Sequence, residues 1–248
     1  MWIAVTTSWG SERESAKNLH PRIPSARAGG IWFSDEDDEM RIQRIGEQDE
    51  AEFAGLVSVY EASLAAGERK SVDALRAMLV RPQYVFLAAM NEERVIGFAI
   101  GIALIGSDAA LLEYMAVDAE FRGRGVGAAL FRAVVEWPAI AGRFVLVEVD
   151  SHREDSAERE ERARRKAFYR RLGARELDGL GYIMPPVTAA TPPPMELMVY
   201  RRELPGCIAK QRVRGWLEDG YEQVYGVVAG DPRIDAMLAG CAEWIPLV

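Results

Sequence analysis

Apolar and polar residues first alternate at Met40-Arg41-Ile42-Gln43-Arg44-Ile45, which predicts a strand with one buried face. From Asp49 to Ala65 the apolar positions Phe53, Leu56, Val57, Tyr60 and Leu64 recur at helical spacing, and Gly67 follows as a stop. Ser71-Val72-Asp73-Ala74 opens a second short helix that ends before Pro82. Two apolar runs, Tyr84–Met90 and Val95–Ile105, flank the polar turn Asn91-Glu92-Glu93-Arg94 and predict a hairpin. Ala109–Val117 makes the following strand. It leads through a short polar turn to a glycine-rich corner, Arg122-Gly123-Arg124-Gly125-Val126-Gly127, and then to an apolar helix stopped by Pro138.

Phe144–Asp150 is a near-continuous apolar run and predicts a buried strand. The next helix is marked at both ends. Asp155 and Glu158 have capping-box spacing, Arg170 and Arg171 close the far end, and Gly173 suits the position just beyond it. Gly181–Met184 and Met195–Tyr200 read as two strands joined by a proline-rich connector. From Pro205 the pattern turns helical again, with Trp216, Tyr221 and Tyr225 as its aromatics. Residues 1–39 show no sustained periodicity, end in an acidic run, and are expected to be a mobile tail. There is no internal repeat.

Composition narrows the class. A chain of 248 residues with 49% hydrophobic and 27% charged content can bury a full core with extensions. A net charge of −8 and a pI near 5.1 argue against a general nucleic-acid or anionic-membrane binder. The longest apolar run, Val95–Ile105, is too short to span a bilayer, and the N-terminus lacks the regions of a secretory signal. Cys207 and Cys241 are the only cysteines, which fits free thiols in a reducing cytoplasmic setting. No metal-ligand spacing occurs. The arginines of Arg159–Arg171 interleave with Glu158, Glu160 and Glu161, which reads as a solvated, salt-bridged face rather than a nucleic-acid surface.

The corner is where chemistry enters. A strand feeding a glycine turn that opens a helix presents unpaired N–H groups and a partial positive charge to an anion. A P-loop is excluded, because no G-x-x-x-x-G-K-[ST] occurs. Gly123-x-Gly125-x-x-Ala128 fits the dinucleotide fingerprint in form, with Glu148 and Asp150 at the expected distance. However, five residues separate strand from glycine, and the upstream strands read as hairpin-linked rather than parallel.

Arg122-x-x-Gly125-x-Gly127, after Met115-Ala116-Val117-Asp118, resembles the acyl-CoA-binding motif [QR]-x-x-G-x-[GA] of the GNAT N-acetyltransferase superfamily. Ala167-Phe168-Tyr169-Arg170-Arg171-Leu172-Gly173-Ala174 is similar to the family's second signature, a Tyr just before a Leu-Gly helix end. The resemblance covers about Met40 to Arg202. It implies an α+β fold, a mixed, mostly antiparallel twisted sheet of about seven strands flanked by about four helices. Residues 40–204 would form the acyltransferase domain and 205–248 a helical extension.

The resemblance also implies a reaction, transfer of an acetyl or short acyl group from acetyl-CoA to a primary amine by direct attack in a ternary complex. The acceptor would be a small molecule or a peptide. Amides around Arg122, Gly123, Arg124, Gly125, Val126 and Gly127 would hold the pyrophosphate. The strands at Leu111–Val117 and Phe144–Asp150 would splay, and N–H groups near Met115, Ala116 and Val117 would polarise the thioester carbonyl. Tyr169 matches the family's acid, or else only packs its ring. For the base, Glu113 is favoured over Glu148, with His152 and a water chain as further candidates. A carboxylate within an apolar strand marks a polar cavity or an ion pair. The first helices and a Tyr182–Tyr200 hairpin would choose the acceptor, and the extension would cap the cleft or form a homodimer contact. The alternative from another class is a non-catalytic acyl-CoA sensor.

Overall fold

A computed structural model describes residues 30–35, 38–66, 69–153, 157–186 and 194–248. The chain falls into two compact units. One takes the described residues up to Gly101 with Tyr114–Trp137 and is called the corner unit here. The other takes Ile102–Glu113 with Pro138–Val248 and is called the carboxylate unit. Two long strands, β4 (Arg94–Ala103) and β5 (Ala109–Val117), contribute residues to both.

The corner unit has strand order β1 (Gly30–Asp35), β2 (Asp38–Arg44), β3 (Tyr84–Asn91), β4, β5. Helix α1 (Glu50–Ser63) carries Glu50 and Glu52 in its first turn and buries Phe53, Leu56 and Tyr60. It crosses β4 at a glycine, since a Cβ on Gly55 would lie 2.6 Å from Val95 Cγ2. Helix α2 (Val72–Leu79) is capped by Ser71, whose side chain accepts from the Ala74 amide at 3.2 Å. Helix α3 (Val126–Val135) packs on β2 and β3 with Leu130 and Phe131 fully buried.

The tail expected over 1–39 contains a strand. β1 pairs antiparallel with β2, setting Ile31 opposite Ile42 and Phe33 opposite Met40. Ile31-Trp32-Phe33 has the β-branched and aromatic character that favours such pairing. Residues 1–29 lie outside the described residues.

In the carboxylate unit the order is β4, β5, β6 (Phe144–Asp150), β8 (Met195–Tyr200), β7 (Arg175–Glu176), with β5 and β6 parallel and the β6–β8 and β7–β8 pairs antiparallel. The sheet therefore carries eight strands among the described residues, where the sequence suggested about seven. The additional strand is β1.

Helix α4 (Arg159–Arg171) begins at Glu158 rather than at Asp155, which lies outside the described residues. It ends as expected, with Gly173 at φ +104°. Gly181–Met184 does not form a strand. The outer partner of β8 is β7 instead, with Arg175 opposite Val199 and Glu176 opposite Met198. Glu176 also exchanges backbone hydrogen bonds with Val248 at 2.9 and 3.1 Å, so the C-terminus occupies its other side. Gly179, at φ +74°, then turns the chain away.

The C-terminal segment is less purely helical than its pattern suggested. β9 (Cys207–Ala209) and β10 (Trp244–Pro246) form a two-stranded sheet around α5 (Lys210–Tyr225) and α6 (Pro232–Ala239). Trp216 on α5 is fully buried, its ring 4.8 Å from that of Phe144 and its Nε1 donating to Asp108 at 2.9 Å. The segment therefore contributes to the core of the carboxylate unit.

Candidate active site

In the corner unit β5 leads through a short turn to the glycine corner. The Asp118 amide donates to the Ile96 carbonyl at 2.8 Å, closing the strand, and Asp118 Oδ1 accepts from the Glu120 amide to start one 3₁₀ turn at Ala119–Phe121. Arg122 Nε donates back to the Val117 carbonyl at 3.2 Å. Part of that guanidinium therefore holds the main chain in its bend. Gly123 and Gly125 follow at φ +77° and +82°, a region that L side chains rarely occupy. Gly125 is the N-cap of α3 and brings no side-chain cap. The first-turn amides of α3, from Val126 and Gly127 onward, have no partner within the helix. Arg124 is exposed on the rim, its guanidinium 5.1 Å from the centre of the Phe121 ring. Met115, Ala116 and Val117 are buried in β5 just before the turn.

The carboxylate unit holds the acid–base candidates. The parallel ladder between β5 and β6 runs only from Ala109–Phe144 to Leu112–Val147. Glu113 and Glu148 are the next residue on each strand, so both carboxylates stand where the pairing stops. Both are buried, at 1% and 2% exposure. Tyr182 donates a hydrogen bond to Glu148 Oε1. The Tyr225 hydroxyl lies 2.7 Å from Oε1 and 2.6 Å from Oε2. Among the described residues Glu148 makes no ion pair with Lys, Arg or His within 4 Å. Burial raises its carboxyl above the usual range, the two phenols oppose that rise, and Glu113 adds to it. The phenols of Tyr182 and Tyr225 are raised as well, by burial first and then by the charge of Glu148, so they remain hydrogen-bond donors. Beside them lies a cavity of about 10 Å³, lined by Leu111, Leu146, Leu197, Leu217 and Tyr221 among others, with room for about one water-sized group.

Tyr169 lies on α4 and is fully buried, and burial raises its phenol further. Its helix is pinned by charge. Lys166 Nζ lies 2.6 Å from Glu176 and also pairs with Glu196, and Arg165 pairs with Asp150. Asp150, on the face that carries Glu148, is therefore committed to α4. His152 is half-buried, with Nδ1 3.9 Å from Glu196. That places it in the α4 ion network.

The structure thus brings Glu113 and Glu148 together and adds Tyr182 and Tyr225. The spacing of the sequence links neither tyrosine to Glu148. Tyr182 comes from a segment that reads as a strand, and Tyr225 stands 77 residues along the chain from its carboxylate partner.

Comparison with known proteins bears on the fold. Residues 81–173 match the family model described as the acetyltransferase (GNAT) domain. A protein from Bacteroides thetaiotaomicron assigned to the GNAT acetyltransferase family superimposes with a TM-score of 0.62 and 23% identity, over 76% of this chain and 99% of that one. An aminoglycoside 6′-N-acetyltransferase complexed with coenzyme A gives 0.50 and 16% identity, over 64% and 95%. A probable acetyltransferase from Staphylococcus epidermidis gives 0.50 and 11%, over 66% and 99%. No curated protein matches the sequence. The fold is that of structures solved for GNAT acetyltransferases, and residues 81–173 are similar to the acetyltransferase domain of that family. Among the described residues no helix is long and apolar enough to cross a membrane.

Proposed function

We propose that the protein transfers an acetyl or other short acyl group from acyl-CoA to a primary amine, on a small molecule or a peptide, by direct attack in a ternary complex in the cytoplasm. The observation that carries this reading is the corner itself, two glycines at positive φ opening α3 with no side-chain cap at its N-terminus. The CoA pyrophosphate lies against the amides from Arg124 to Gly127, with Arg122 and Arg124 adding positive charge to an acidic chain. The aminoglycoside acetyltransferase with this fold was solved with coenzyme A, which supports the same cosubstrate here. Strand N–H groups near Met115, Ala116 and Val117 polarise the thioester carbonyl.

The amine nitrogen attacks that carbonyl, a C–N bond forms and the C–S bond breaks. Glu148 takes the proton released by the ammonium. It is preferred over Glu113 because two phenols, Tyr182 and Tyr225, hold its carboxylate, and burial raises its carboxyl above the usual range. Tyr169, kept protonated by burial, gives its proton to the leaving thiolate and regains the one that the nitrogen sheds as the adduct collapses to the amide, while Glu148 returns its proton to solvent.

A thiol-release assay with acetyl-CoA over polyamines, amino acids, aminoglycosides and N-terminal peptides tests the reading. Turnover on at least one amine, abolished with CoA binding in Gly125→Glu, is expected. CoA binding without turnover on any of them would leave a sensor module instead.

A further inference from the structure

We propose that Tyr182 and Tyr225 are positioning residues for Glu148. They form a two-phenol clamp, half of it supplied by the C-terminal helix α5, that fixes the carboxylate and leaves a lone pair of Oε2 to receive the proton. This rests on the reading of Glu148 as the base.

The geometry is a matter of counting acceptor sites. A carboxylate offers two lone pairs on each oxygen. Tyr182 and Tyr225 both reach Oε1, whereas only Tyr225 reaches Oε2, at 2.6 Å. At least one lone pair of Oε2 therefore stays available. The phenols approach from separate segments, one beyond β7 and one from the last turn of α5, so Glu148 cannot swing without breaking one of these bonds.

Among the described residues no Lys, Arg or His pairs with Glu148 within 4 Å. Glu113 on β5 faces Glu148 as a second carboxylate. On α5, Tyr221 donates instead to the Ile183 carbonyl. Arg233 on α6 lies over the Tyr221 ring, 5.4 Å from its centre, and pairs with Asp231 at 2.6 Å. Leu146 and Leu197 make the cavity wall apolar. The charge on Glu148 is thus stabilised by two neutral donors, and the balance between its protonated and ionised forms depends on them.

Glutamate labelled with ¹³C at the carboxyl carbon, with Glu148→Gln to identify the resonance, reads the titration of Glu148 directly. Tyr225→Phe and Tyr182→Phe each remove a donor to the ionised form, so each raises the midpoint by about one pH unit. Tyr221→Phe, whose hydroxyl does not reach Glu148, leaves it in place. Fluorotyrosine at position 225 keeps the ring and strengthens the donor, so it lowers the midpoint even where a Phe variant folds poorly. In turnover, the acid limb of kcat/KM moves with the midpoint while the plateau at higher pH is retained.

A midpoint unmoved in both folded Phe variants and in the fluorotyrosine protein overturns the clamp, whatever the rate. A midpoint that moves in a protein with no acyl transfer keeps the clamp and removes the acyltransferase reading.

Discussion

Gly125 stands at φ +82° as the N-cap of α3, and its lack of a side chain serves two ends there. A Cβ at that backbone angle costs about 1 kcal/mol or more, and a methyl group beside the first-turn amides keeps a diphosphate from lying against them. Gly125→Ala should therefore weaken CoA binding at least tenfold, roughly the effect of losing 1.4 kcal/mol, while lowering Tm by only a few degrees; calorimetric titration and a melt check both. Glu148 gives a prediction of opposite sign for stability. Burial holds its folded carboxyl above its unfolded value. Its contribution to folding is therefore complete below the unfolded pKa and is lost as pH rises through the folded one. Glu148→Gln removes that titration. Its Tm should gain on the native protein as pH rises above the ordinary carboxylate range, even as acyl transfer falls; melts at acid and at neutral pH would contradict the assignment if the two curves ran parallel.

The corner works only if α3 is held on its strands, and Gly97 on β4 sets that distance. A Cβ there would meet the Ala116 carbonyl oxygen at 3.0 Å, Leu130 Cδ1 at 3.1 Å and Val126 Cγ1 at 3.3 Å. Gly97→Ala should push α3 away, lower stability by about 1–3 kcal/mol in urea titration, and raise the Kd for CoA although residue 97 is not in the phosphate turn. On α4 the fixing element is Lys166, buried between Glu176 and Glu196. Lys166→Ala removes their buried cation and leaves them the more exposed Arg153 and Arg170, so it should cost up to about 3–5 kcal/mol, whereas Lys166→Arg should cost less. What could be read in the sequence follows the same division between local and distant causes. Helix α1, the Ser71 cap of α2, the β3–β4 hairpin and the Gly125 corner are written in neighbouring residues by periodicity, capping and turn chemistry, so they were legible. The end of the β5–β6 ladder before Glu113 and Glu148 came only through a family resemblance. Replacement of the Gly181–Met184 strand by β7 was not legible, because pairing with β8 and with Val248 decides it. The tyrosines around Glu148 were hidden for the same reason, since no local pattern ties Tyr225 to a strand so far upstream.

Reading residues 205–248 as an extension predicts that the chain tolerates their loss, and the packing of the carboxylate unit predicts the reverse. Trp216 and Ile245 are fully buried and Leu217 nearly so, and Trp216 lies against Phe144, a residue of β6. Gln223 brackets Ile105 with two hydrogen bonds, at 2.8 and 2.7 Å, so α5 also holds the connection between β4 and β5. Removing one buried Trp alone costs about 3–5 kcal/mol, a large share of the 5–15 kcal/mol that stabilises a typical domain. Residues 1–204 expressed alone should therefore fail to melt cooperatively, and Trp216→Ala in the full chain should already lower the urea midpoint sharply. A fragment that kept both a sharp melt and CoA binding would make α5 an accessory. A fragment that lost them would mean that the helix carrying Tyr225 to Glu148 is also one the carboxylate unit needs in order to fold. The donor to the proposed base would then have no separate existence from the core that presents it.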